Sequence, residues 1–143
     1  MKSRNQITRI IKETAERHSQ VNTVVAAERY EKEGDRIYPL VHIVPGSWGA
    51  RGNIVAMSFL LIILDLGSED GSHREENLSD TQLIAIDILS TLMEENSGED
   101  LSFSMVGDAT KIVDGEGDQA SGWIMEISAQ QTYEKNHCET PIN

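Results

Sequence analysis

Residues 54–66 read Ile54-Val55-Ala56-Met57-Ser58-Phe59-Leu60-Leu61-Ile62-Ile63-Leu64-Asp65-Leu66, and this stretch decides the fold class. Successive side chains of a strand point to opposite faces. Ile54, Ala56, Ser58, Leu60, Ile62 and Leu64 therefore share one face, and Val55, Met57, Phe59, Leu61 and Ile63 share the other. Both faces turn apolar toward the end of the stretch, the pattern of a central strand covered on both sides. The longest unbroken apolar run, residues 59–64, falls far below the about 20 residues that a membrane-crossing helix needs.

Upstream of this strand, residues 3–18 carry Ile7, Ile10, Ile11 and Thr14 at helical spacing, with Ser3 placed to cap the start. Residues 20–30 are enriched in β-branched side chains (Val21, Thr23, Val24, Val25) and predict a first strand. Residues 37–44 predict a second. Pro39 lacks a ladder donor, so this strand is an edge or Pro39 lies at its start. Pro45-Gly46 reads as its stop, with residues 47–53 as a Gly-rich connection. Downstream, residues 67–76 form a polar loop, and residues 78–95 a second helix whose apolar face is Leu78, Gln82, Ala85, Leu89 and Leu92, joined by Ile86 and Met93. Strands follow at 101–106 and 122–132, separated by a Gly- and Asp-rich excursion. Residues 133–143 read as a flexible tail. In the last strand Trp123, Met125, Ile127 and Ala129 face inward. The expected architecture is a single α+β domain over 1–143, with a mostly antiparallel five-stranded sheet and two helices packed on it.

The chain has 143 residues and a formal net charge of −12. Residues 1–60 hold nine Lys or Arg and six acids, net +3, whereas residues 61–143 hold three and eighteen, net −15. Nucleic-acid and anionic-membrane affinity comes from Lys and Arg neutralising phosphates, so neither partner is expected of the chain as a whole. A charge asymmetry of this kind suits stacking or head-to-tail contact, against the simpler account of a solvated acidic surface beside a basic helix. Cys138 is the single cysteine and forms no internal disulfide. Basic residues near the start are followed by no apolar core of a signal peptide, so a soluble chain made in the cytosol is expected.

No constellation predicts catalysis. Asp114, Glu116 and Asp118, with Asp108 upstream, alternate oxygen ligands as Ca²⁺ prefers. The EF-hand pattern then needs Gly and Glu where Gln119 and Met125 stand, which favours a solvated turn. His18, His42, His73 and His137 lack the close spacing of a metal pair. His137 and Cys138 are sequence neighbours whose side chains point apart in an extended segment, which argues against a nucleophilic pair. No Gly-x-Ser-x-Gly, phosphate loop or dinucleotide fingerprint occurs, and the acid pairs Glu75-Glu76 and Glu94-Glu95 read as solvated. The expectation is no enzyme, no cofactor and no metal. Trp48, in a Gly-rich connection, is a candidate interface anchor, together with Arg51 and the loop acids Glu69, Asp70, Glu75, Glu76, Asp108, Asp114, Glu116 and Asp118.

Ile37-Tyr38-Pro39-Leu40-Val41-His42-Ile43 resembles the second strand of small proteins from the head-to-tail region of tailed bacteriophages. An apolar strand ending in Asp65 follows. After Asn77 comes a helix that opens Asp80-Thr81-Gln82 and continues Ile84-Ala85-Ile86-Asp87-Ile88-Leu89. The last strand opens Gly122-Trp123, and Cys138 and Pro141 stand near the end. In order and spacing, residues 20–141 resemble tail-terminator-like neck or tail-completion proteins. Two departures concern the stretch 108–120, which is longer and more acidic than in that family, and the strand at 21–30, which lacks a Gly-Asp. The resemblance implies a virion structural protein, assembled in the bacterial host cytoplasm into a ring of six or twelve copies between portal or adaptor and tail proteins. It implies no catalytic residues. Such a ring would have a lumen that DNA crosses without specific binding, and acidic side chains there would repel the phosphates. The loops 67–76 and 107–120 are expected to meet neighbouring rings. A different class of function, a small acidic protein-binding module or DNA-mimic inhibitor, also accounts for the charge.

Overall fold

The computed structural model describes residues 1–26, 37–66, 73–96, 100–115 and 120–133. Along the chain these form α1 (Arg4–Glu16), β1 (Thr23–Ala26), β2 (Leu40–Arg51), β3 (Ile54–Leu66), α2 (Arg74–Glu95), β4 (Ser102–Gly115) and β5 (Ala120–Thr132). The sheet order is β1-β2-β3-β5-β4. β1 pairs with β2 in parallel, and every other pair is antiparallel. The fold is therefore α+β with a mostly antiparallel sheet, as the sequence predicts.

β3 has the bounds read from its residues and lies at the centre of the sheet. Its Phe59, Leu61 and Ile63 join Val41 and Ile43 of β2 and Met125, Ile127 and Ala129 of β5 in one core. Ile7, Ile11 and Ala15 of α1 and Ile84, Ala85, Ile88 and Leu92 of α2 close that core from above. Removing each Val, Ile, Leu, Phe or Met side chain of that core from water contributes about 1.5–3 kcal/mol. The helices cover this face alone. On the other face Leu40, His42 and Leu64 are buried, but Leu60 and Val106 are exposed. Double coverage of β3 is thus corrected: its second face is apolar without a helix over it among the described residues.

Helix α1 begins after a capping box in which the Gln6 N–H donates to Ser3 Oγ and the Ser3 N–H to Gln6 Oε1, 3.3 and 2.7 Å. The pairing satisfies two amides that no helical carbonyl reaches. Helix α2 starts at Arg74, before the expected 78, with Glu75 and Glu76 in its first turn, where the helix dipole favours negative charge. Its buried face is Asn77, Leu78, Thr81, Ile84, Ala85, Ile88 and Leu92. Ile86 and Met93, expected inward, are exposed, as are Leu83 and Gln82. Apolar residues stand on nearly every side of this helix, so periodicity alone left its orientation open, and the fit of Ile84 and Ile88 to the sheet sets it.

The strand bounds correct the sequence reading in one direction. β2 does not stop at Pro45-Gly46. Its register shifts between Pro45 and Trp48, and the ladder then resumes to Arg51. A bulge accommodates the missing Pro donor and the bend in one step. Pro39 precedes the strand, and β2 is internal, so its position at the start explains it. Similarly β4 does not end at 106. Gly107, at φ 64°, takes a left-handed conformation within the register shift between Val106 and Thr110. The β-branched Thr110, Ile112 and Val113 then carry the strand to Gly115, so most of the expected excursion is ladder. Of the first strand only Thr23–Ala26 lies in the described residues. Of the expected tail only Tyr133 does, and its N–H donates to the Asn53 carbonyl at 2.9 Å.

Candidate assembly surface

The β2–β3 hairpin forms an arm at the Arg51/Ile54 end of the sheet. Gly52 and Asn53 alone connect the paired residues Arg51 and Ile54, with Gly52 at φ 62°. Gly at the first central position of a two-residue hairpin supplies the twist that matches the flanking strands. At the bulge, a Cβ on Gly46 would stand 2.6 Å from Ser58 Oγ, and that hydroxyl donates to the Ser47 carbonyl at 3.2 Å. The bulge turns Trp48 onto the face of its partner Met57, the face that carries the core further along β3. Trp48 is nonetheless 68% exposed. It borders an apolar groove of about 330 Å³ whose walls include Met1, Arg4, Val55, Met57 and Phe59.

The start of α1 is held beside this groove. The Lys2 N–H donates to Gln131 Oε1 at 2.7 Å, and Gln131 Nε2 donates to the Lys2 carbonyl at 2.9 Å. Arg4 Nη2 donates to the Pro45 carbonyl at 3.3 Å. Gln131 is buried, so its amide is matched on both sides, as a buried polar group requires. Residues 1–12 and 44–58 together hold Lys2, Arg4, Arg9, Lys12 and Arg51 and no acid.

The outward side of α2 has the opposite character. Leu83, Ile86 and Met93 are exposed along it, beside Glu76, Asp80, Asp87 and Glu94, which recur at helical spacing. Residues 74–95 carry six acids and one base, Arg74, net −5. Two of those acids are tied to the C-terminal end of α1. Arg17 makes a forked contact to Glu95 at 2.9 and 2.6 Å, and His18 Nε2 lies 2.9 Å from Asp87. The guanidinium, by hydrogen bond and charge, holds the Glu95 carboxyl below its ordinary range. Between α2 and the last two strands lies a second groove of about 340 Å³, bordered by Ile86, Leu89, Met105, Asp108 and Trp123.

The expected interface residues separate accordingly. Trp48 and Arg51 share the arm, and Glu75 and Glu76 lie in the first turn of α2, all exposed. His73 Nδ1 is 3.4 Å from Glu76 Oε2. Asp108 is exposed on β4 beside the left-handed Gly107. The backbone of Asp114 continues β4. Glu69, Asp70, Glu116 and Asp118 lie outside the described residues, and with them the alternating-acid cation pattern. Among the described residues no three His, Cys, Asp or Glu side chains cluster as metal ligands, and no helix is long and apolar enough to cross a membrane. Sequence reasoning did not single out Met57, which needs the hairpin register to be placed against Trp48, or Leu83, whose spacing to Ile86 and Met93 was readable. No family model matches the chain, and no curated protein matches it in sequence.

Proposed function

We propose that this chain is a non-enzymatic structural protein that assembles as a ring in the neck of a tailed bacteriophage, joins the head to the tail and lines the channel through which DNA passes. The observation that carries the reading is the arm: a hairpin whose ladder resumes past a bulge and presents Trp48, 68% exposed, beside an apolar groove. An exposed tryptophan on a two-residue hairpin suits an anchor for another protein surface. The sheet face that has no helix over it among the described residues and the edge strands β1 and β4 add surfaces for lateral pairing. The net charge of −12 suits a channel that DNA crosses without being held, because like charges repel phosphates.

The test combines light scattering on the purified full chain with a search for it in purified particles. Rings in solution, or the chain in virions, support the proposal. A stable monomer that is absent from virions and binds a basic partner supports the acidic mimic instead.

A further inference from the structure

We infer that the β2–β3 arm of one copy seats on the outer side of α2 of a second copy, in a head-to-tail contact that repeats around a ring; this inference rests on the ring reading above. The two surfaces lie on different elements of one chain and match in two respects. Each carries exposed large apolar side chains, Trp48 and Met1 beside the groove of the arm and Leu83, Ile86 and Met93 on the helix. Each is rimmed by charge of one sign: Arg4 with the neighbouring Lys2 beside Trp48, Asp80 and Glu94 along the helix. A second copy brings the complement of both surfaces at once. Contact between unlike patches leaves a free arm at one end of the row of copies and a free helix at the other, and a rotation that brings those ends together closes a ring. Apolar cores rimmed by opposite charges give such a contact both affinity and register. In the same chain the C-terminal end of α1 already occupies Asp87 and Glu95, so Asp80 and Glu94 are among the acids left to a neighbour.

The experiment uses two full-length variants. Trp48→Ser with Lys2→Glu blocks the arm, and Leu83→Ser with Glu94→Lys blocks the helix. Wild-type chain is expected to self-associate, and each variant alone to do so at least tenfold more weakly. An equimolar mixture of the two is expected to stop at dimers, because only one arm–helix contact remains possible. Circular dichroism and the urea midpoint check that the variants fold. Should a double variant fail that check, Lys2→Glu and Glu94→Lys alone, both at exposed sites, carry the same comparison. Variants that assemble like wild type, a mixture that stays monomeric, or wild-type chain that stays monomeric up to about 1 mM, a contact of some 4 kcal/mol, each overturn the inference. The neck reading is decided separately by the presence of the chain in virions. A chain found in particles whose variants assemble normally leaves the ring and removes this contact. A chain absent from particles whose variants form the dimer does the reverse.

Discussion

A Cβ placed on Gly122 would stand 1.7 Å from the carbonyl oxygen of Ile63. The two residues belong to β5 and β3, the central antiparallel pair, and Gly122 is in register with Leu64 beside it. No side chain fits in that gap, so the approach of the two strands depends on the missing methyl. The Gly122→Ala variant is expected to lose about 3 kcal/mol, because backbone rather than a flexible side chain must move. Urea denaturation measures it, and a loss under about 1 kcal/mol would show that the strands part easily at this point.

Trp123 Nε1 donates to the Leu78 carbonyl at 2.8 Å, which fastens the first turns of α2 to β5. The same carbonyl also accepts from Thr81 Oγ1 at 3.3 Å, so it keeps a partner when the indole is removed. Trp123→Phe is therefore expected to cost about 1 kcal/mol, the net worth of one hydrogen bond. The shift in urea midpoint, with an unchanged slope, checks it.

Asp65 lies partly buried at the end of β3. Burial raises its carboxyl above the ordinary range; the Leu66 N–H, 2.8 Å from Oδ1, works against that shift, and the charge of Asp80 adds to it. Since the folded value exceeds the unfolded one, stability falls as pH rises from about 3.8 through the raised value. At neutral pH that loss is complete. Asp65→Asn keeps an acceptor for Leu66 and removes the charge, so it is expected to stabilise the protein at pH 7 and to give no gain in acid below the unfolded value. Urea midpoints at the two pH values test the sign. Glu95 has the opposite sign: its lowered value contributes stability above the ordinary carboxylate range, lost as pH falls through the folded value.

The parts legible in sequence and the parts that were not differ for physical reasons. β3 was readable to the residue because its run is long, β-branched and bounded by polar segments. Ser3 as a cap and the stripe Ile7, Ile11 placed α1, whereas the return contact from Gln6 came from the structure. Pro45-Gly46 and Gly107 misled because such residues end a strand or bulge it with equal ease, and only the partner strand decides. Ser58 opposite Gly46 and Glu126 opposite Val106 are long-range facts. The face of α2 was ambiguous because Ile84, Ile86, Ile88 and Leu89 point to different sides. The candidate surface was half visible: the charge division and Trp48 stand in the sequence, whereas the meeting of Trp48, Met57 and the start of α1 exists only once the hairpin register is set.

Trp48 contacts little of the core, so Trp48→Ser is expected to change stability by no more than about 0.5 kcal/mol. The same change is expected to impair self-association and the joining of heads to tails. Parallel unfolding and particle-assembly assays separate the two effects. Strong destabilisation would assign Trp48 to the fold rather than to a partner.

The central claim is that this chain is a ring subunit of a virion, and the copy number in purified particles tests it most directly. Quantitative mass spectrometry against the portal protein is predicted to find the chain at a fixed stoichiometry of six or twelve per particle, retained after removal of loosely bound protein. Particles that join heads to tails and contain no copies of the chain would contradict the account.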